Sequence, residues 1–486
     1  MFLKSTGVRP GLTLAAVAVV QFMVSLDLSV VNVGLPEIAG GLGFSAVNLA
    51  WVIHAYALTF GGLLLLGGKA SDRYGRRRML LLGLALFGLA SLAGGFAQQP
   101  GHLVAARAVQ GVGAATLAPA ALALLTATFP SGRERVRAFG IWSATNAAGG
   151  AIGVLAGGLL TQYVSWRAVM FVNVPMVAIA ALMVARIHDG RAGQPGQRGG
   201  RPDILGGLLA TAGMTTLVFG VVRTDRHPWG SVTTLVTIAA AVLLLAGFVY
   251  VERTTRREPL LRLGLLANRS VSGANGFNLL VGAAMASSFY FMSLYLQEVL
   301  RHGPAASGLM FLPFALAVVV GSFVAIKLGY RFATRDLLVG GALLTAIGFG
   351  WFSLISTDGS FLANVLGPSI FVGTGFGLCL APLVSTATGG VAPEEAGTAS
   401  GLLNSSRQIG ASLGLAALGT VAHDRTGELG TVGALNDGYA LALRLCAALL
   451  LVGVVIVLAV LRRTRPTTPV SAPDSAPASA TVSESA

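Results

Sequence analysis

Charge is scarce in this sequence. Only 11% of its 486 residues are Asp, Glu, Lys or Arg, where an ordinary soluble domain carries roughly 25%. A soluble protein of this length could not cover its surface with so few, which excludes most soluble enzyme folds. Cysteine is rarer still: Cys379 and Cys446 are the two in the chain, each inside an apolar run. Neither has a partner at disulfide or metal-ligand spacing, so redox and zinc chemistry are not expected. Acidic residues are outnumbered 19 to 33 by Lys and Arg, giving a net charge of +14. Such a surplus points to nucleic acid only where the basic residues form one continuous stripe. Here they are scattered through short loops between apolar segments, and no nucleic-acid partner is expected.

What is abundant is apolar sequence: 54% of the residues are hydrophobic, gathered in repeated runs of about 20 residues, the length of a membrane-spanning helix. The reading is an all-α integral membrane protein with 14 spans. Six lie between Leu12 and Ile187, two more near Ile204–Val222 and Val232–Val251, and six between Val271 and Leu461. The expected division is a six-helix bundle over 1–187, then a basic cytoplasmic linker with two additional central helices and a following loop over 188–270. A second six-helix bundle follows over 271–461, and a Pro/Ser/Ala/Thr tail over 462–486 without a periodic apolar face is expected to be disordered. Two such bundles around a central cavity form a known transporter plan.

An even number of spans puts both termini on one side. Arg167, Arg223, Arg226, Arg301 and Arg425 fall in loops on the other side and Arg107, Arg407 and Arg444 inside spans. All remaining Lys and Arg residues share the side of the termini, which the basic bias of short loops marks as cytoplasmic. The first segment begins with Lys4 and Arg9 like a signal peptide. It is too long for one, contains Asp27 and lacks an A-x-A site, so it is read as a retained helix.

Asp27 is the only acidic residue deep in a span. It lies nine residues before Pro36, which at ~1.5 Å per residue puts it roughly 14 Å below the outer end. A carboxylate at such depth costs on the order of 3 kcal/mol and ordinarily faces a water-filled cavity or a basic partner. It is a proton or cation site, or a structural carboxylate bonded to a neighbouring helix. Arg107, five residues after His102, sits ~8 Å below the same surface, within about 6 Å of the depth of Asp27. The two are in reach if the first and fourth spans are neighbours. Desolvation favours a neutral carboxyl, while a nearby guanidinium favours the ionised form. A movement that separates the two is what a proton-coupled switch requires; a permanent structural ion pair is the alternative.

Other polar residues within spans, Asn32, His54, Gln110, Asn146, Arg407 and Gln408, line a cavity or bond helices together. Of the cluster Phe289, Tyr290, Phe291, Met292 and Tyr295, which covers most of one helix circumference, only some can face a pocket. Gly149, Gly150, Gly153, Gly157 and Gly158 have the small-xxx-small spacing that lets backbones approach closely, and a smooth glycine face also lets one helix rock on another. Gly410-Ala411-Ser412-Leu413-Gly414 fits the hydrolase elbow pattern but lacks its strand-turn-helix context. With no H-E-x-x-H, paired acids or Cys/His cluster in the spans, the chain is not expected to be an enzyme.

The loop after the second span, Gly68-Lys69-Ala70-Ser71-Asp72-Arg73-Tyr74-Gly75-Arg76-Arg77-Arg78, closely resembles the signature loop of the major facilitator superfamily, in which Gly68, Asp72, Arg73, Gly75 and Arg76 would form a tight cytoplasmic turn and gate latch. Further motifs resemble the fourteen-span drug:proton antiporters of that superfamily: Leu26-Asp27 through Leu35-Pro36 in the first span, Leu103 through Gly113 around Arg107 in the fourth, Trp166-Arg167 with Phe171-Val172-Asn173-Val174-Pro175 at the start of the sixth. Gly397-Thr398-Ala399-Ser400-Gly401 and Arg407-Gln408-Ile409-Gly410 match near the thirteenth. The family's fifth-span motif ends Gly-Pro, whereas Gly153 is followed here by Val154. The position of His54 is acidic in some relatives that export divalent organic cations.

The resemblance implies a major facilitator fold and proton-coupled efflux of hydrophobic small molecules, antibiotics or toxic metabolites, across the cell membrane by alternating access. Asp27 and Arg107 would couple protons, and Gly149, Gly153, Gly157 and Gly158 would form the antiport packing face. It implies no cofactor beyond the proton gradient, and function as a monomer. A dedicated exporter or symporter of one endogenous metabolite remains open at this point.

Overall fold

The computed structural model describes residues 10–129, 132–187, 203–222, 229–255, 259–260, 263–329, 331–388, 391, 396–427 and 431–463. The expected linker at 188–202 and the expected disordered tail from 464 onward lie outside the described residues. Among those described there is no strand. The first group of helices comprises α1 (Pro10–Leu42), α2 (Ala46–Leu49), α3 (Trp51–Tyr74), α4 (Arg76–Gly95), α5 (Pro100–Thr128), α6 (Gly132–Tyr163), α7 (Trp166–Phe171) and α8 (Asn173–Ala185). A pair follows, α9 (Ile204–Val222) and α10 (Val232–Thr254). The last group is α11 (Arg269–Leu294), α12 (Pro304–Met310), α13 (Leu312–Leu328), α14 (Thr334–Phe352), α15 (Gly367–Thr388), α16 (Ala396–Thr426) and α17 (Val432–Val460). A π turn, Tyr295–Val299, extends α11, and a second, Phe361–Leu366, leads into α15.

Helix starts follow from local chemistry. Ser165, Ser231, Asn268 and Thr431 each accept a backbone N–H of the first turn, and Pro100 and Pro304 open their helices where no donor is needed. With α7–α8 and α12–α13 each counted as one crossing, 13 helices are long and apolar enough to span a membrane. The fourteenth crossing is α16, whose 31 residues suffice in length. Its run of Ser400, Asn404, Ser405, Ser406, Arg407 and Gln408 keeps its hydropathy down. Large apolar side chains such as Leu89 on α4, Leu243 on α10, Phe323 on α13 and Val455 on α17 stand exposed, an arrangement suited to lipid rather than water.

Helices α1 and α3–α8 pack together, as do α11–α17, giving two six-crossing bundles. The additional pair, central in the chain, lies to the side of the bundles, with α9 against α3 and α16 and with α10 touching α9 alone among the well-packed neighbours. With α1 starting on what we call the near side, the bundles meet at the opposite, far side. There Ser293 donates to the carbonyl of Asn32 at 2.8 Å and Gln297 to that of Val33 at 3.0 Å, joining α11 to α1. The Ala305 N–H donates to Gln162 at 2.9 Å, joining α12 to α6.

The glycines of α6 explain how closely α1 is held. Gly149 faces the backbone of Phe22, Gly153 that of Leu26 and Gly157 that of Val30, so each glycine sits on a successive turn of α1. Gly158 instead abuts the backbone of Pro304 and Ala305 across the bundle boundary. Because a Cβ at Gly153 would stand 2.7 Å from the Leu26 carbonyl oxygen, Gly153→Ala is expected to lower stability by about 1–3 kcal/mol through forced separation of α1 and α6. Gly140→Ala, on the same helix where a Cβ meets nothing, is the control that should hold or slightly raise the thermal midpoint.

Candidate functional site

Small residues bring α5 against its neighbours. Gly111 presses on the α3 backbone at Tyr56, Gly113 on α4 at Phe87, and Thr59 of α3 donates to the carbonyl of Ala108 at 2.9 Å. That closeness delivers Arg107 to the middle of the first bundle. Its Nη1 lies 2.6 Å from Oδ2 of Asp27, and the two side chains are 2% and 0% exposed. The first and fourth crossings are thus neighbours, the condition under which the two residues come within reach.

The pair is embedded in a network. Arg107 donates through Nη1 to Gln110 at 3.0 Å and through Nε to the Val52 carbonyl at 3.1 Å, and its guanidinium carbon stands 4.4 Å from the Tyr56 ring centroid. Asp27 Oδ1 accepts from Asn173 at 2.7 Å and from Gln110 at 3.3 Å. Gln110 also donates to Ser91 at 2.7 Å, and Ser91 to the Phe87 carbonyl at 2.8 Å. Helices α1, α3, α4, α5 and α8 thus converge on one carboxylate. Two atoms at its edge, Asn173 Oδ1 and the Tyr56 hydroxyl, are buried without a hydrogen-bond partner among the described residues.

Asn173, Ser91 and Tyr56 were missed by sequence reasoning as site residues. Asn173 had a usable signal, since it lies in the Phe171–Pro175 motif; Ser91 had none, being one serine in an apolar helix. The polar residues expected to line a cavity or to bond helices together separate into four groups. Gln110 bonds helices together, within the buried network. His54 and Gln408 are buried at 0% and 7% exposure, between α3 and α16 rather than on an open wall. Asn32 is partly buried and donates to its own helix at the Leu28 carbonyl, 2.7 Å away. Asn146 and Arg407 are reachable from outside the protein interior. Asn146 accepts from Gln21 at 2.8 Å and also from Ser25, and Arg407 donates to Asn404 at 3.3 Å.

The signature loop is shorter than expected. Helix α3 continues through Gly68, Asp72 and Arg73 to Tyr74, and the chain turns only at Gly75, whose φ of 95° suits glycine alone. Arg76 already begins α4. Gly68 is therefore a helix-packing residue, near Pro119 of α5; the Asp72 side chain lies outside the described ones. Arg73 stands 5.8 Å from the Tyr74 ring centroid. Arg77 donates to the carbonyls of Val184 at 3.3 Å and Ala185 at 2.6 Å, capping the end of α8 where a cation is favoured. Lys69 donates to the Pro259 carbonyl.

In the second bundle, Phe289 stacks on Phe311 at 5.4 Å and meets Phe314 edge-on at 5.0 Å. With Met292 and Met310 these rings line an apolar cleft. Tyr290, Phe291 and Tyr295 are buried in packing instead. Among the described residues no group of three or more His, Cys, Asp or Glu comes together as metal ligands would.

The network predicts an asymmetry. Arg107→Met strands a buried carboxylate that can take up a proton, whereas Asp27→Leu strands a guanidinium that cannot shed one. Breaking a buried pair costs about 3–5 kcal/mol. Asp27→Leu should therefore cost more than Arg107→Met, and the double variant should recover part of the loss; thermal unfolding of the purified proteins checks this.

A family profile described as Major Facilitator Superfamily matches residues 17–415. The chain is 43% identical over 419 residues to the cephamycin export protein CmcT of Amycolatopsis lactamdurans, covering 86% of each chain. It is 40% identical over 457 residues to the puromycin resistance protein pur8 of Streptomyces alboniger, covering 91% of this chain and 90% of that one. In fold it is similar to the crystal structure of the nucleoside transporter NupG, with a TM-score of 0.65, 12% identity and coverage of 93% of this chain and all of the other.

Proposed function

The chain belongs to the Major Facilitator Superfamily, and on that premise we propose that it is a proton-coupled exporter of hydrophobic small molecules, antibiotics or toxic metabolites, working by alternating access in the cell membrane. The export and resistance functions named for CmcT and pur8 support the substrate class. In this reading both termini are cytoplasmic, the monomer is the working unit, the proton gradient is the driver in place of any cofactor, and the chain performs transport without catalysis.

The observation that carries the proposal is the Asp27–Arg107 pair at the convergence of five helices. A proton arriving from the far side neutralises Asp27 and removes the charge that holds Arg107. The network loosens, and α1 shifts along the glycine face of α6. Helix α1 also carries the Asn32 and Val33 carbonyls that fasten it to α11, so displacement at Asp27 reaches the far-side contact through one rigid rod. The bundles are joined at the far side by α1–α11 and α6–α12 and along the α3–α16 contact, and in this reading that arrangement is the one open toward the cytoplasm. Substrate enters there, among Gln21, Asn146, Asn404 and Arg407, and leaves when the far side parts. A membrane potential supplies about 2.3 kcal/mol per charge per 100 mV, enough to drive such a rearrangement.

Asp27→Asn should reach the membrane at normal levels and lose gradient-driven efflux of a fluorescent lipophilic dye by at least about tenfold in cells, the equivalent of roughly 1.4 kcal/mol of lost coupling. Efflux by that variant that still responds to collapse of the proton gradient would defeat the assignment.

A further inference from the structure

The seam between α3 and α16, where the two bundles touch beneath α9, buries polar groups that it does not satisfy. Leu58 of α3 clusters with Ala416 of α16. Ser405 donates to the Gly61 carbonyl at 2.8 Å, a Cβ at Gly61 would stand 2.7 Å from that of Gln408, and one at Gly401 would stand 2.9 Å from Leu65. Leu58, Gly61 and Leu65 thus form the stripe of α3 that faces α16. His54 precedes Leu58 by four residues and Gly61 by seven, so it continues the same stripe one turn nearer the far side. It is 0% exposed, and neither ring nitrogen has a hydrogen-bond partner among the described residues. Trp51 meets it edge-on at 5.5 Å. On α16, Gln408 Nε2 and Ser412 Oγ, one turn apart, are also buried and without partners among the described residues.

A buried polar group left unpaired has lost its hydration without replacement, so the closed seam is held against a standing cost that water would remove if the helices parted. No charge is placed to receive an imidazolium. Helix α9 has no ionisable residue from Ile204 to Val222. On α16, Arg407 is the only ionisable residue between Leu402 and Val421, and it is itself cationic; His423, Asp424 and Arg425 stand exposed at the far-side end of the helix, more than one turn beyond the seam. Helix α5 contributes His102, exposed at its start, and Arg107, which is committed to Asp27 and the Val52 carbonyl. On α3 the nearest ionisable group is Tyr56, whose ring lies against that guanidinium. The ionisable residues of α4, Arg76, Arg77 and Arg78, stand at its near-side start, as do Lys69, Asp72 and Arg73 at the end of α3. Helix α2 has none.

We infer that His54 is a far-side acid sensor in the α3–α16 seam: the closed seam accepts only the neutral imidazole, and once the seam parts the wetted imidazole takes a proton and bars reclosure until it is lost. The inference rests on the alternating-access reading but not on Asp27 as the proton carrier. Its sign follows from linkage. An imidazole in water titrates near about 6.5, so if only the parted form binds this proton, the ratio of parted to closed seam scales with one plus the protonated-to-neutral ratio and grows about tenfold from pH 7.5 to 5.5. Acid on the far side would thereby slow the return to the cytoplasm-open arrangement.

Spin labels on Val164→Cys and Leu362→Cys, exposed positions at the far-side ends of the two bundles, test this in the full chain in lipid nanodiscs; the native Cys379 and Cys446 are buried and stay in place. The ratio of long to short distances should rise about tenfold between pH 7.5 and 5.5. His54→Gln and His54→Asn, both neutral at every pH, should flatten that rise, and His54→Lys should favour long distances across the range. The rise should persist in Asp27→Asn. A parent without pH dependence, neutral variants that titrate like the parent, or a rise abolished by Asp27→Asn would each overturn the inference. Normal coupled efflux by Asp27→Asn would remove Asp27 as proton carrier and leave the seam titration standing.

Discussion

A buried ion pair between α1 and α5 sets the terms for the first bundle. Neither Asp27 nor Arg107 can be left alone in a low-dielectric interior without a cost of several kcal/mol, so the surrounding helices must approach closely enough to complete both hydrogen-bonding shells. Gly111 and Gly113 let α5 reach α3 and α4. Asn173 at the start of α8 and Ser91 in α4 supply the remaining partners. The same dependence makes the arrangement switchable, because neutralising one carboxyl removes the reason for the whole constellation.

The pair is connected to the rest of the protein through α1. Its Phe22, Leu26 and Val30 backbone lies on the glycine track of α6, and its Asn32 and Val33 carbonyls hold α11. One helix therefore carries the buried carboxylate, a close backbone contact with α6 and a tie to the opposite bundle. A second contact between bundles, the α3–α16 seam, is of another kind: Ser405 and Gly61 are joined by a hydrogen bond, yet His54, Gln408 and Ser412 are enclosed without partners. Two contacts of unequal quality suit a structure that must stay closed on one side and still be able to open.

Much of this was legible in the sequence. The crossings follow from run length, and the proximity of Asp27 and Arg107 follows from their matched depth below one surface. The glycine spacing of α6 foretold a close helix neighbour. What could not be read was rotation about each helix axis, which only the neighbours decide. That is why the sequence left open whether Gln110 lines a cavity or bonds helices together, the latter being its place in the ion-pair network, and why Asn173 and Ser91 were not assigned at all. The signature loop misled for a local reason, since Gly68 looks like a turn glycine but serves the contact with α5, and only Gly75 has a positive φ. Helix α16 was legible as the thirteenth span even though its polar face, which includes Asn404 and Arg407, makes it the least apolar of the crossings.

The central claim is that Asp27 exchanges Arg107 for a proton during the working cycle. Infrared difference spectroscopy on protein labelled with carbon-13 at aspartate, recorded as pH is lowered in nanodiscs, addresses it most directly. The account predicts a protonated-carboxyl band that grows on acidification together with a shift of the arginine guanidinium band, both absent in Asp27→Asn. A carboxyl at Asp27 that stays ionised throughout the pH range in which the protein transports would contradict it.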